Sequence, residues 1–501
     1  MKKTITFLCL LTLTLTLSAQ PQFGERPKLV VGIVIDQMRW DYLSRYYERF
    51  GDGGFRRLID GGYSCNNCLI NYVPTITAIG HTSVYTGTTP AFHGICGNSF
   101  SIDGHWTYCT ADNSVQTVGA EGNSGQHSPH NLLSTTIGDQ LRLHTDFRSK
   151  VVGVSYKNRA AILPAGHSAN AAYWLDVQTL RFISSTYYMQ ELPAYAKEVN
   201  AAIAKNKEAQ KAGKRIGYTP LCGTLTTDMA IAALQGENLG RGEATDMLCV
   251  SYSQTDVIGH EWGTRGEHAD EAYLELDRDL ARLLKAIDQQ VGQGNYLLFL
   301  TADHGASHNW NFMREHNIPA GPIYSDSLKN SIEEQVTAKL RSTKRVIMNI
   351  ADYRVFLDHE SISEQGLDLQ QVKEVVADYL RKADGIVTVV DYEQARQAPL
   401  PQLLLDRVLM GYHPRRSGDL VFIPEPHHYY WWKTAAPTHT THGEWNPYDA
   451  HIPLLFFGWH ITHGATSREV HINDIAPTVC QLLHIQQPSA CSGEAIVEVT
   501  R

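Results

Sequence analysis

The chain has 501 residues and a mass of 56.0 kDa, which allows roughly two to four domains or one large α/β domain carrying insertions. Hydrophobic residues make up 43% and charged residues 19%, a composition that buries a sizeable core and excludes wholesale disorder, collagen and a polytopic membrane protein. The formal net charge of −9 argues against nucleic acid as the main partner, and the 23 histidines point toward metal chemistry without locating it.

The N-terminus reads as a targeting segment. Lys2 and Lys3 supply a positive start, Ile5 to Leu17 an apolar stretch interleaved with threonines, and Leu17-Ser18-Ala19 a small-residue cleavage site. The stretch is short of the roughly 20 residues that cross a bilayer, and no later run is long enough. The expectation is an exported protein, periplasmic or secreted, with no membrane span and with residues 1–19 removed. That removal leaves 41 basic residues against 52 acidic ones, and eight cysteines, at positions 65, 68, 96, 109, 222, 249, 480 and 491. An even number in an exported chain reads as disulfides, and Cys480 with Cys491, which close a short loop, form the expected pair. Cys65-x-x-Cys68 has the spacing of half a zinc knuckle, but no second Cys-x-x-Cys completes one.

From residue 28 onward the pattern is that of an α/β protein. Lys28 to Asp36 is a near-continuous apolar run ending in an acid, as in a strand buried on both faces of a parallel sheet. Val151 to Ser155 is a further short strand, and Met247 to Ser253 repeats the first pattern. A helix is predicted from about His268 to Gln290, with Leu274, Leu276, Leu280, Leu283, Leu284 and Ile287 largely on one face. Tyr296 to Asp303 is another apolar strand ending in an acid. The stretch from about Pro319 to Trp432 lacks such signals and is rich in charge, so it reads as an inserted subdomain; His427 and His428 beside Tyr429 to Trp432 read as a surface aromatic patch. Ile452 to Phe457 is the last strand, and Asn473 to Ile485 a closing helix with Pro477 in its first turn. The expected fold is α/β, with a mostly parallel central sheet flanked by helices and an inserted subdomain, and with its ligand site at the carboxyl ends of the strands.

Polar clusters sit at those strand ends. Asp36 ends the first strand, Asp256 and His260 form a D-x-x-x-H after Met247–Ser253, Asp303 and His304 end the Tyr296 strand, and His442 lies in T-H-G-E-W-N-P-Y-D. Three carboxylates and three imidazoles are a natural set for two divalent ions. A second element, P-T-I-T-A-I-G-H at 74–81 followed by H-G-I-C-G-N at 93–98, puts a hydroxyl at the entrance of a helix. Exposed N–H groups and the positive end of the helix dipole there favour an anion, above all a phosphoryl group. Thr75 is read as the cap of that helix. Ser155-Tyr156-Lys157-Asn158-Arg159-Ala160, taken alone, is a solvated basic turn after a strand.

Around these motifs the sequence resembles the alkaline phosphatase superfamily, in particular the exported alkaline phosphatases with a threonine nucleophile. It is also similar to the nucleotide pyrophosphatase/phosphodiesterases around P-T-x-T-x-x-x-H and H-G-I-x-x-N. The resemblance runs from about Lys28 to Ile485. It implies that Thr77 is the nucleophile, that Asp36, Thr77, Asp303 and His304 hold one zinc ion, and that Asp256, His260 and His442 hold a second. Asn98 would hydrogen-bond a nonbridging phosphoryl oxygen. Lys157 and Arg159 match the K-x-R of the threonine-type monoesterases, which reaches the transferred phosphoryl group and which the diesterases lack. A monoester carries one more negative oxygen than a diester, so two extra cations favour it. The implied activity is hydrolysis of small-molecule phosphate monoesters, dependent on two Zn2+ ions and passing through a phosphothreonine intermediate. A phosphodiesterase or nucleotide pyrophosphatase is the neighbouring alternative; a phosphoryl transferase and a catalytically silent zinc-binding surface protein are the others. The sulfatases' C-x-P-x-R does not occur. His81, His93, His439 and His451 lie within the motifs and carry no ligand role from the resemblance; they are expected to stand behind the ligands or to be structural.

Overall fold

The computed structural model describes residues 26–431, 436 and 438–500. The targeting segment 1–19 lies outside the described residues, as does Trp432, the far boundary of the expected insertion. The first strand, β1 (Leu29–Ile35), is buried along its whole length near the middle of a ten-stranded sheet. Helix α1 (Thr77–Thr86) is buried all round, and is followed by β2 (Val151–Ser155) and helix α2 (Asn158–Ala165). Next come β3 (Asp246–Tyr252), helix α3 (Gln254–Trp262), helix α4 (Glu267–Val291) and β4 (Tyr296–Thr301). β4, β1, β3 and β2 lie side by side in that order, all parallel, and Ala171–Asp176 continues the parallel set beyond β2. Parallel neighbours need long crossovers, and the helices that provide them cover both faces, which is why these strands read as unbroken apolar runs. In α4 Leu276, Leu280, Leu283, Leu284 and Ile287 of the predicted stripe are fully buried, while Leu274 is partly buried against the same core.

Between β4 and the final strands the chain builds a second body. Helix α5 (Ser325–Leu340), β5 (Ile347–Ala351), β6 (Arg354–Leu357), helix α6 (Leu369–Leu380), β7 (Ile386–Asp391) and β8 (Leu420–Pro424) follow in order. The four strands form an antiparallel sheet in the order β5-β6-β8-β7. Ile332, Val336, Val355, Val376 and Phe422 are among the residues of its own core, distinct from that of the large sheet. Tyr429 and Trp431 do not form a surface patch: His428–Trp431 pairs with Gly321–Tyr324, and both rings are buried. Strand pairing turns alternate side chains inward, which the run of aromatics alone does not reveal.

The chain then returns to the large sheet. The predicted strand Ile452–Phe457 is divided at Pro453. His451–Ile452 pairs with Cys68–Leu69, while β9 (Leu454–Gly458) runs antiparallel beside β4 and makes the large sheet mixed. Helix α7 (Ile475–Leu482) closes the fold after a short 3-10 turn at Ile472–Asp474. All eight cysteines of the described residues are free thiols, Cys480 and Cys491 included. Cys480 belongs to the core beneath α7, where burial raises its thiol pKa. The Cys491 sulfur packs instead on the end of α1, 2.7 Å from where a Cβ on Gly87 would sit.

Candidate active site

The site is assembled at the carboxyl ends of the parallel strands. Asp36 follows β1 directly and its N–H bonds Tyr252 O at 3.1 Å, so the strand ladder sets its position. Asp256 and His260 are one helical turn apart on α3, and the i, i+4 spacing puts both on one face. Asp303 and His304 follow β4, and His442 arrives on the loop before β9. Two groups result: Asp36, Asp303 and His304, and Asp256, His260 and His442; in each, one ligand atom per residue lies within 4.8 Å of the others.

The imidazoles are oriented by main-chain carbonyls. His260 Nδ1 donates to Thr440 O at 2.7 Å, His304 Nδ1 to Gly305 O at 3.0 Å, and His442 Nδ1 to Thr75 O at 2.6 Å. Because each acceptor is a carbonyl, each Nδ1 carries the proton and each Nε2 presents a lone pair to the cluster. His260 Nε2 and His442 Nε2 lie 3.1 and 3.5 Å from Asp256 Oδ1. His304 Nε2 lies 3.4 Å from Asp303 Oδ2 and 3.6 Å from Asp36 Oδ1. The rings of His304 and His442 stack with centroids 3.5 Å apart, joining the two groups.

The donor set fits a pair of divalent cations. Asp36, Asp256 and Asp303 are all buried, and Asp36 Oδ1 and Asp303 Oδ2 accept no hydrogen bond. Burial, with Asp256 and Asp303 nearby, raises the Asp36 carboxyl well above the usual carboxylate range. Although burial opposes it, the Asp256 and Asp303 carboxyls are both held below the usual range, with the Lys157 ammonium a cationic neighbour of each. Burial pushes His304 down to about 3, which keeps it the neutral ligand form. Buried carboxyl groups with unbonded oxygens, beside imidazoles whose Nδ1 is tied to a carbonyl and whose Nε2 faces the cluster, are what a zinc centre uses.

Thr77 is the first residue of α1, and its Oγ1 lies 3.3 Å from His304 Nε2. No side chain caps α1. Thr75 is not the cap: its hydroxyl donates to Glu444 O at 3.0 Å and accepts from Gly443 N, so it secures the His442 loop instead. Asn98 Oδ1 accepts from Ala78 N at 3.2 Å, which leaves its amide N–H groups as the free ones beside the helix entrance. Lys157 is not a solvated turn residue. Its Nζ pairs with Asp36 Oδ2 at 2.7 Å and with Asp256 Oδ2, bridging the two groups. Arg159 donates from Nη1 to Tyr108 Oη at 3.0 Å, while its Nε is buried with no hydrogen-bond partner.

One site residue, Gln37, lies outside the motifs. Gln37, at φ 65°, donates from Nε2 to Asp256 Oδ1 at 2.8 Å and from its N–H to Asp303 Oδ1 at 3.1 Å, spanning both groups. Its place directly after Asp36 was the only available hint. His81 stands behind the inner group, bonded to Thr77 O at 2.9 Å and Ser251 Oγ at 2.7 Å. His93 bonds Ser83, His451 bonds Asn66 O, and His439 packs on Trp431.

A threonine at a helix entrance beside paired carboxylate–imidazole groups, on a parallel sheet, defines an enzyme site of the phosphoryl-transfer type. Comparison with known proteins then identifies the family. The type I phosphodiesterase / nucleotide pyrophosphatase family model matches residues 30–445, and the chain belongs to that family, within the alkaline phosphatase superfamily. Alkaline phosphatase PafA of Elizabethkingia meningoseptica is 42% identical over 526 residues, covering 95% of this chain and 94% of that protein. A Myroides odoratus protein named a calcium-transporting ATPase is 42% identical over 522 residues, 95% of each. The crystal structure of wild-type PafA superposes with a TM-score of 0.91 at 41% identity, covering 95% of this chain and 100% of that one.

Proposed function

We propose that this protein is an exported alkaline phosphatase that hydrolyses small-molecule phosphate monoesters, with two zinc ions held by the two groups of the site. In this reading residues 1–19 are a signal peptide, and 20–501 form one catalytic domain with an insertion at about 319–432. The single observation that carries the proposal is Lys157 bridging the two groups, with Arg159 beside it and Thr77 at the helix entrance. That cation supply suits the extra charge of a monoester. PafA, similar along nearly the whole chain, is itself named an alkaline phosphatase. The transporter name of the Myroides protein finds less support, since no helix of the described residues is long and apolar enough to cross a membrane.

When bound, zinc supplies Lewis acidity at the entering and leaving oxygens. Thr77 Oγ1 gives up its proton and attacks phosphorus in line, the ester P–O bond breaks, and the leaving oxygen takes up a proton to depart as the alcohol. Water then hydrolyses the phosphothreonine to inorganic phosphate and the free Thr77 hydroxyl. Asn98 Nδ2, Lys157 Nζ, the Arg159 guanidinium and the N–H groups at the start of α1 hold the nonbridging oxygens. Gln37 and the three backbone-tethered imidazoles keep the ligand atoms aimed, so little reorganisation accompanies the reaction.

Metal analysis together with hydrolysis of an aryl phosphate and an aryl phosphonate diester tests this. The expected result is two zinc ions per chain and much faster turnover of the monoester. Faster turnover of the diester would favour the phosphodiesterase reading, and bound zinc without turnover of either ester the silent zinc-binding one.

A further inference from the structure

One place where the inserted body reaches the site is the turn between β5 and β6. β5 and β6 are joined by the two-residue turn Asp352-Tyr353, with both residues at positive φ (51° and 62°), as a tight hairpin requires. Asp352 Oδ2 accepts from Arg354 Nη2 at 3.2 Å. Arg354 is fully buried, and its Nε and Nη1 have no hydrogen-bond partner, so Asp352 is the main anchor of that guanidinium. The pair is pressed against the segment carrying Asn98: a Cβ on Gly97 would lie 2.7 Å from Asp352 Oδ2 and 2.9 Å from Arg354 Nη2. Tyr353 is pressed against the other side of the site, where a Cβ on Gly443, next to His442, would lie 2.6 Å from its ring. Its hydroxyl accepts from Tyr430 N at 3.2 Å, which ties the turn to the half-buried strand at His428–Trp431.

We infer that Asp352 and Tyr353 are positioning residues of the phosphoryl site: Asp352, with Arg354, sets the Gly97–Asn98 segment, and Tyr353 sets the loop that carries His442. The inference rests on the phosphatase reading above. A turn that only finished a hairpin would need neither a half-buried ion pair wedged on Gly97 nor a ring wedged on Gly443. Tight packing at both points passes any shift of the turn to Asn98 and to His442.

A double-mutant cycle in the zinc-loaded full-length protein tests it, combining Asp352→Asn with Asn98→Ala. The readouts are kcat/KM on an aryl phosphate, the inhibition constant of inorganic phosphate, zinc content and melting temperature. Asp352→Asn alone is expected to lower kcat/KM and phosphate affinity by about tenfold with zinc retained, and by less than about twofold once Asn98 is alanine. Gly97→Ala, which leaves the hairpin chemistry intact and pushes on the same pair, is expected to show the same dependence on Asn98 and serves if Asp352→Asn does not fold. Equal losses in both backgrounds, or no loss, would overturn the inference. An unsubstituted protein without phosphatase activity would instead sink the functional reading on which it rests.

Discussion

The two carboxylate–imidazole groups do the same kind of work from different construction. Asp36, Asp303 and His304 stand at the ends of the neighbouring strands β1 and β4 and are wholly buried. Asp256, His260 and His442 combine one turn of α3 with a distant loop, and the His260 side chain is 29% exposed. The inner group inherits its geometry from a strand register that cannot slip without turning every buried side chain outward. The outer group is closed by loop contacts, His442 to Thr75 O and Gly443 to Tyr353. A wholly buried group beside Thr77 and a partly exposed second one would suit the proposed reaction, which forms a bond at one oxygen and breaks a bond at another.

The largest expected effect falls on Thr77. Thr77→Ala should lower kcat by at least about 10⁴-fold while zinc content is unchanged, because in the proposed mechanism the hydroxyl is the attacking atom and not the main anchor of the metal. Stopped-flow turnover with parallel metal analysis checks this, and full activity would remove the nucleophile role.

The contrast between the groups can be broken next. His304→Ala should cost about 10³-fold and resist rescue by added zinc, whereas His260→Ala should cost about 10²-fold and recover in excess zinc. A chelator should accordingly strip the protein in two kinetic phases. A single phase, or equal rescue of both variants, would show the two groups to be alike.

Lys157, which touches a carboxylate of each group, sharpens the comparison through the substrate. Lys157→Ala with Arg159→Ala should reduce aryl phosphate hydrolysis by about 10²-fold and phosphonate diester hydrolysis by less than about tenfold. Equal losses on both esters would show that this pair does not set the preference for monoesters.

The smallest effect concerns stability on the loop leaving the inner group. Burial, with Arg39, Arg265 and Arg45 nearby, lowers His308 to about 3. The folded chain then keeps this imidazole neutral, whereas the unfolded chain takes up a proton below its ordinary pKa of 6.5. Stability from this group is present above that value and is lost as pH falls toward the folded value. His308→Gln should therefore flatten part of the fall in melting temperature between pH 6.5 and pH 4, and an unchanged slope would rule the group out.

How far the site was legible in the sequence follows the same division. β1, β3 and β4 were readable because strands buried on both faces must be apolar throughout, and the acids at their ends stood out against that background. The D-x-x-x-H of α3 was readable because helical spacing is local. Thr75 was misread as a cap because its real partners, Glu444 O and Gly443 N, lie far away in the chain. Gln37 was invisible for the same reason, and the aromatic run at Tyr429 to Trp431 looked like surface until its pairing with Gly321–Tyr324 was known. The Cys480–Cys491 pairing came from parity and loop length alone, and neither reports the direction in which a side chain points.

By itself the sequence determined the strand ends that carry the acids, the helix that Thr77 begins and the family to which the chain belongs. Apolar periodicity and motif spacing are local properties written into consecutive residues. Tertiary structure alone decided which nitrogen each imidazole offers, that Lys157 bridges two carboxylates, and that a turn of the inserted body lies against Gly97 and Gly443. Each of these is settled by a hydrogen bond or a close packing contact between segments far apart in the chain, and no local pattern encodes a partner that only folding brings near.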